Sequence, residues 1–230
     1  MSKNGKIVIP PETLLSSVRY DATYWLTSLP MALGVSLRAE GSCHVPLRGP
    51  ALLIANHQSF FDPLLVGLAS RRQLCYLARK TLYKNAALAW MIRGLNAFPI
   101  DQERMGKDGL KATLEMLHAG RAVLVFPEGE RTGDGAMQPL KPGVQLLVKR
   151  AGAPVIPVGI AGAYAAWPRW RKYPLPAPLF FAPRPGSIAV SIGRPLEAHR
   201  LAGLERQALL DLLFAEVQAL VRRADKLRRR

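Results

Sequence analysis

The chain has little cysteine, little acidic charge and no long apolar run. Its 2 cysteines, Cys43 and Cys75, are too few for a disulfide scaffold in 230 residues, and neither stands in the C-x-x-C or paired Cys/His spacing that zinc sites use. The longest uncharged stretch, residues 22–37, is interrupted by Pro30 and falls short of the ~20 apolar residues that span a bilayer. Residues 1–11 carry no secretory signal pattern. We therefore expect a reduced, cytosolic protein without a metal.

The shortage of acidic residues leaves a large positive charge. The chain has 32 Lys and Arg against 16 Asp and Glu, a net charge of +16, and such a surplus attracts nucleic acid, an anionic membrane face or an acidic carrier protein. Residues 63–100 and 135–196 contain no acidic residue at all. Within the second stretch, residues 167–173 (WPRWRKY) interleave aromatic and basic side chains, a pattern that suits a lipid headgroup interface or single-stranded nucleic acid. A solvated loop is the alternative.

Short apolar segments alternate with segments of helical length, which is typical of an α/β sandwich. Buried strands are predicted for residues 50–55, 74–78, 121–126 and 155–160, and helices for residues 80–94, 107–118 and 201–227. The first 38 residues are predicted to form a helical arm, in which the large apolar side chains are Leu14, Leu15, Val18, Tyr24, Trp25, Leu26 and Leu29. Such a helix can lie in a membrane interface with its aromatic rings at headgroup depth; packing on the domain is the alternative.

The first stretch with chemical potential is residues 56–62 (NHQSFFD), between an apolar strand and Pro63. We expect the strand to end near Asn56 and a helix to begin at Asp62-Pro63, with Asp62 as N-cap. The intervening turn can bring the Asp62 carboxylate back to the His57 ring, whereas the same spacing within one helix would separate them by about 140°. A carboxylate fixes the imidazole tautomer, so His57 can act as general base on a substrate hydroxyl, a role worth about 10²–10⁴ in rate. A surface histidine followed by a helix cap is the alternative.

The second such stretch is residues 127–131 (PEGER), directly after the apolar strand at residues 121–126. A glycine-containing turn at the carboxyl end of a buried strand is where α/β proteins bind ligands, and Arg131 can grip a phosphate with two N–H groups. Lys141 begins the next predicted helix, whose N-terminal amides can also face an anion. We therefore expect an anion site here.

Taken in order, four segments resemble the motifs of the 1-acyl-glycerol-3-phosphate acyltransferase family. They are NHxSxxD at residues 56–62, residues 94–101, FPEGxR at residues 126–131 and VIPV at residues 155–158. The resemblance covers about residues 40–195, and the ordered set is more specific than any one motif.

This resemblance implies an α/β fold with a mixed central sheet flanked by helices, and a catalytic domain at residues 39–230 behind the arm at residues 1–38. It implies that His57 is the base and Asp62 its partner, and that the segment from Phe126 to Arg131 binds the acceptor phosphate. The expected substrate-binding residues are therefore Phe126, Pro127, Glu128, Gly129 and Arg131, and we add Arg104 and Lys141 from their own positions in the sequence. The implied acyl donor is a thioester of coenzyme A or acyl carrier protein, with no metal or other cofactor. The implied reaction converts lysophosphatidate to phosphatidate at the cytoplasmic face of a membrane, with the enzyme peripheral or monotopic.

Two residues depart from the family pattern. Gln102 stands where an arginine is frequent, with Arg104 two positions on, and Glu130 stands where threonine or glycine is frequent. A carboxylate beside a phosphate is unfavourable unless it points outward. Lysophosphatidate is therefore the leading acceptor, and another lysophospholipid or a lyso-aminolipid is the alternative, with Glu130 meeting a cationic headgroup.

Two further hypotheses remain. A family member without catalysis could serve as a lipid-binding scaffold. A basic nucleic-acid-binding module would explain the net charge but would leave His57, Asp62 and the PEGER turn without a purpose, and no nucleic-acid motif is present. We expect no specific nucleic acid partner.

Overall fold

The computed structural model describes residues 13–101, 106–171, 173–175, 177 and 187–229. In this part of the chain, seven strands form one sheet in the order β1-β7-β6-β2-β5-β3-β4. The strands are β1 Arg38–Glu40, β2 Ala51–Ala55, β3 Leu74–Arg79, β4 Ala97–Ile100, β5 Ala122–Val125, β6 Val155–Ala161 and β7 Ala189–Ile192. All neighbours are parallel except β6 and β7, which are antiparallel. The predicted mixed sheet is confirmed.

Helices cover both faces of this sheet. They are α1 Leu14–Gly34, α2 Asp62–Ser70, α3 Ala86–Gly94, α4 Lys107–His118, α5 Gly143–Ala151, α6 Ala163–Ala166, α7 Ala198–Ala202 and α8 Arg206–Arg228, with short 3₁₀ turns at Ser42–His44 and Lys80–Lys84. Strand β2 lies at the centre, and its five residues are fully buried. Leu53 packs with α2 and α3 on one face, while Leu52 and Ile54 pack with α4, α5 and α8 on the other. A strand buried on both faces needs a continuous apolar run, which is why residues 51–55 have no polar member.

Two predicted helices are interrupted. The helix expected over residues 80–94 begins as a 3₁₀ turn and restarts at Asn85, whose side chain accepts the backbone N–H of Leu88 at 3.0 Å. The last predicted helix divides into α7 and α8 after Gly203. Asparagine favours a helix cap and glycine weakens a helix interior, so both breaks have a local chemical cause.

Helix α1 is only half covered by the rest of the protein. Tyr20 is buried and its hydroxyl accepts the N–H of Leu74 at 3.2 Å, while the Tyr24 hydroxyl donates to the Leu68 carbonyl at 3.2 Å. The opposite side exposes large apolar side chains: Leu14, Leu15, Val18, Trp25, Leu26 and Leu29. Among the described helices, none is both long enough and apolar enough to cross a membrane.

The parallel pairing of β2 with β5 and β6 determines where ligands can bind. Ile54 lies opposite Val125 on one side and Pro157 on the other, so all three strands end at the same edge of the sheet. We call this the carboxyl edge. The residues that follow β2 and β5 are NHQSFFD and FPEGER, so the two predicted chemical stretches meet there.

Candidate active site

The His57 ring and the Asp62 carboxylate form a hydrogen-bonded pair at the carboxyl edge. Nδ1 of His57 lies 2.8 Å from Oδ2 of Asp62, as the predicted turn requires. Since a carboxylate oxygen accepts, Nδ1 carries the proton and Nε2 keeps its lone pair. The Asp62 side chain is fully buried, whereas that of His57 is 19% exposed. The pair therefore presents one basic nitrogen toward a ligand.

Asp62 does not cap the following helix, contrary to the prediction. Its Oδ2 also accepts the backbone N–H groups of Gln58 at 2.5 Å and Ser59 at 2.7 Å, so the carboxylate turns back toward the preceding residues. Helix α2 begins at Asp62 itself, with Pro63 in its first turn. The carboxylate accepts three hydrogen bonds from residues that precede it in the chain. These bonds outweigh the single hydrogen bond that it would accept as a cap of the following helix.

The turn is anchored to the sheet by Asn56. Its side-chain nitrogen donates to the Ile160 carbonyl at 3.0 Å, and its side-chain oxygen accepts the Ile160 N–H at 2.8 Å. The amide thus replaces the next backbone pair between β2 and β6, and the His57 backbone is free to leave the sheet. Sequence reasoning assigned no such role to Asn56, because nothing in the local pattern indicates a partner 104 positions away.

Phe126, Pro127 and Gly129 shape the loop that faces His57. The Phe126 ring stacks on the His57 ring at a centroid distance of 4.0 Å and an angle of 15°. The Pro127 carbonyl accepts the N–H of Lys141 at 2.8 Å. Gly129 has φ +80°, and a Cβ built on it would lie 2.5 Å from Nζ of Lys141. The positive φ of this turn favours glycine, and the Lys141 ammonium lies against it.

Glu128 points into the protein and holds the loop to the His57 turn. One carboxylate oxygen accepts the His57 N–H at 2.6 Å and the other accepts the Gln138 N–H at 2.7 Å. The Thr132 N–H donates to the His57 carbonyl at 2.9 Å, so both backbone groups of His57 are bound by this loop. Burial raises the pKa of Glu128 to about 7, the two N–H donors oppose that increase, and the negative charge of Asp62 adds to it. Both carboxylate oxygens already accept backbone N–H groups. Glu128 therefore positions the His57 backbone and does not contact a ligand in this geometry.

Arg131 supplies a partly buried cation near the His57–Asp62 pair. Its guanidinium carbon lies 3.4 Å from the centroid of the Phe60 ring, and Nη1 is buried without a hydrogen-bond partner among the described residues. Burial lowers the pKa of Arg131, and the positive charges of Arg79 and Arg169 lower it further, against the opposing effect of Asp62. Arg131 therefore has a buried, unsatisfied donor that lies within the electrostatic influence of two other arginines, and such a donor favours an anion.

His57, Asp62 and Arg131 lie within the part of the chain that matches a known protein family. The model of the Acyltransferase family matches residues 36–161, more than half of the chain. The chain belongs to the acyltransferase family. It is 25% identical over 207 residues to the 1-acyl-sn-glycerol-3-phosphate acyltransferase of Bacillus subtilis, a match that covers 85% of this chain and 96% of that protein. The protein of the same name from Pseudomonas aeruginosa is 31% identical over 189 residues, which cover 76% of this acyltransferase and 63% of that chain.

A solved structure extends the likeness to the whole fold. The crystal structure of the 1-acyl-sn-glycerophosphate acyltransferase PlsC from Thermotoga maritima superimposes with a TM-score of 0.66 at 26% identity. The superposition covers 94% of this acyltransferase and 79% of that chain.

The structure brings most of the predicted site residues of the acyltransferase together. His57, Asp62 and the segment from Phe126 to Arg131 meet at the carboxyl edge, with Lys141 against Gly129. Gln102 and Arg104 lie outside the described residues. Glu130 is exposed. Arg79 and Arg169 were not predicted as site residues, although both fall in the acid-free stretches that the sequence revealed.

Proposed function

We propose that this acyltransferase transfers a fatty acyl group from an acyl thioester to the free hydroxyl of 1-acyl-glycerol-3-phosphate, giving phosphatidate. The observation that carries the proposal is the His57–Asp62 pair next to Arg131, whose Nη1 is buried without a partner among the described residues. A base and an anion-binding cation side by side suit an acceptor that has a hydroxyl and a phosphate in one small molecule. The names of the relatives in Bacillus subtilis and Pseudomonas aeruginosa support the same acceptor.

His57 carries out the proton transfers in the proposed mechanism. Nε2 takes the proton of the glycerol hydroxyl while that oxygen attacks the thioester carbonyl carbon. Asp62 stabilises the imidazolium that forms, because its carboxylate already accepts the Nδ1 proton. The tetrahedral intermediate then collapses, the carbon–sulfur bond breaks, and the new ester remains on the glycerol. The leaving thiolate takes the proton from His57; its thiol has a pKa of about 8.5, so departure needs little acid assistance.

The acceptor phosphate is bound by the arginines around the turn. Arg131 offers the buried Nη1, and Arg79 and Arg169 add positive charge to the same place. Lys141 lies at the neighbouring Gly129 turn. The buried, unpaired donor of Arg131 favours lysophosphatidate over a lyso-lipid with a cationic headgroup.

The donor is a thioester of coenzyme A or acyl carrier protein, and no metal or further cofactor enters the mechanism. The protein works at an anionic membrane surface on the cytoplasmic face, held as a peripheral or monotopic protein by the exposed apolar side of α1. Trp25 is 67% exposed and Leu26 63% exposed on that side, which suits burial at headgroup depth. The net charge of +16 favours the same surface.

The test is acyl transfer from oleoyl-coenzyme A, and in parallel from oleoyl acyl carrier protein, to a panel of lyso-lipids in mixed micelles. Wild type should acylate lysophosphatidate, and His57→Ala should reduce turnover by about 10²–10⁴. His118→Ala, at an exposed histidine at the end of α4, is the matched control and should match wild type.

Other outcomes would reject parts of the proposal. Product only from a lysophospholipid with a larger headgroup or from a lyso-aminolipid would reject lysophosphatidate as acceptor. Turnover by a folded His57→Ala variant near the wild-type rate would remove His57 as the base. No product from any acceptor would leave the lipid-binding scaffold as the better hypothesis.

A further inference from the structure

The segment that follows α6 is fixed at its base to the catalytic turn. We call the described residues 167–171 and 173–175 the tryptophan loop. The Ser59 hydroxyl donates to the Trp167 carbonyl at 2.9 Å. The Trp167 ring packs against Phe60 at 5.3 Å and Phe61 at 4.7 Å between centroids. The base of the tryptophan loop is therefore attached to the turn between His57 and Asp62.

The same loop exposes large apolar side chains. Trp170 is 67% exposed, Tyr173 68% and Leu175 37%. The Arg171 guanidinium lies 5.1 Å from the Trp170 centroid, and the Arg171 carbonyl accepts the Nε1 proton of Trp167 at 2.9 Å. The loop therefore holds Trp167 by its carbonyl and its ring nitrogen and exposes Trp170. Aromatic rings beside guanidinium groups are the side chains that proteins place at the boundary between lipid tails and headgroups.

The chain just after the tryptophan loop is bonded to the end of α1. The Ala177 N–H donates to the Gly34 carbonyl at 2.7 Å, and the Ser36 hydroxyl donates to the Ala177 carbonyl at 2.6 Å. The end of α1 therefore adjoins the loop, and Leu29 and Leu33 on that helix are 57% and 41% exposed. This junction lies at the carboxyl edge, because Arg38 at the start of β1 pairs with Ala189, which is opposite Ala161 at the end of β6.

We propose that the tryptophan loop is a second membrane contact, which inserts Trp170, Tyr173 and Leu175 into the headgroup region of an anionic bilayer. Arg171, whose guanidinium lies beside Trp170, meets lipid phosphates, and α1 and the loop together turn the carboxyl edge toward the bilayer. The proposal rests on the proposed function, since a lyso-lipid acceptor and its product both reside in the bilayer. Contact at two places fixes an orientation, which a single helix lying on the surface does not.

A bilayer fits this surface better than single-stranded nucleic acid. Nucleic acid would use the aromatic rings and the arginines, but it offers nothing to aliphatic side chains such as Leu175, Leu33 and Leu29. A lipid interface accommodates all three kinds of side chain at successive depths. Because Trp167 is bonded to Ser59 in the turn after His57, a bilayer bound at this loop would lie close to the catalytic residues.

The experiment compares sedimentation with vesicles of phosphatidylcholine and phosphatidylglycerol in about a 3:1 ratio. The Trp170→Ser/Tyr173→Ser variant should lower the vesicle partition coefficient by about tenfold, because two exposed rings no longer enter the interface. Leu47→Ser is the matched control: Leu47 is 80% exposed and precedes β2, at the opposite edge of the sheet, so binding should equal wild type. Trp170→Phe/Tyr173→Phe should recover most of the lost binding.

Activity in mixed micelles separates this proposal from the proposed function. The double Ser variant should keep wild-type turnover there, because neither residue has a part in the proposed proton transfer or phosphate binding, while its turnover on lysophosphatidate in vesicles falls with binding. Unchanged vesicle binding by the double Ser variant would overturn the membrane contact even if acylation is confirmed. Loss of affinity for a single-stranded oligonucleotide with unchanged vesicle binding would also overturn it. Absence of acylation by wild type in micelles would reject the function and leave the vesicle comparison valid.

Discussion

Replacing Asp62 by Asn removes the charge of the dyad while keeping its shape. Oδ2 of Asp62 accepts three hydrogen bonds, from Nδ1 of His57 and from the N–H groups of Gln58 and Ser59. An asparagine whose carbonyl oxygen occupies that position keeps all three. Its amide nitrogen then takes the place of Oδ1, which is buried without a partner among the described residues. The His57 tautomer is preserved, so the change isolates the electrostatic stabilisation of the imidazolium.

The expected magnitude follows from the lost charge. A hydrogen bond to a charged group contributes about 1.5–3 kcal/mol, and about 1.4 kcal/mol in the barrier is tenfold in rate. We therefore expect kcat to fall by about 10–100-fold in Asp62→Asn, with little change in the acceptor KM. The buried amide group that gains no partner should lower the free energy of unfolding by about 1–3 kcal/mol.

The assay measures kcat and KM for acylation of lysophosphatidate, together with unfolding in urea to verify that the variant is folded. Asp108→Asn is the control, since Asp108 is an exposed carboxylate on α4. A folded Asp62→Asn variant with the kcat of wild type would refute the argument, because the carboxylate charge would then have no part in the reaction. An increase in KM alone would mean that Asp62 acts on acceptor binding.

Two other substitutions test the surroundings of the dyad. Arg131→Ala should raise the acceptor KM by about 10–100-fold with a smaller effect on kcat, because a charge-assisted bond to phosphate is lost; Arg150→Ala, at an exposed arginine on α5, is the control, and an unchanged KM would place the phosphate elsewhere. Glu128→Gln should alter the pH dependence of stability. The folded chain keeps the Glu128 proton to about pH 7, whereas the unfolded chain releases it near pH 4.5, so its contribution to stability falls as the pH rises through that window. The difference in unfolding free energy between wild type and Glu128→Gln should therefore be smaller at about pH 8 than at about pH 5. A difference that stays constant between those two pH values would contradict the raised pKa of Glu128.

Local patterns in the sequence predicted many of the helices and strands correctly. Helix α4 begins and ends at the predicted residues, Lys107 and His118, because an apolar repeat and a following glycine depend only on near neighbours. The strands β2 and β5 were predicted for the same reason, since a short apolar run between turn residues leaves few other structures. Where local signals competed, prediction was less accurate: Asp62 has the chemistry of a helix cap, and the donors behind it decided otherwise.

The sequence by itself determined that His57 and Asp62 can meet, because a turn of five residues limits their separation. It also determined the resemblance to a family and the placement of positive charge in two acid-free stretches. The tertiary structure alone decided that Glu128 binds the His57 backbone, that Asn56 pairs with Ile160, and that Arg79 and Arg169 approach Arg131. The physical reason is that a buried polar group must find its partner wherever the fold brings one. The order of the strands brings these residues into contact, and the local sequence around each of them does not predict its partner.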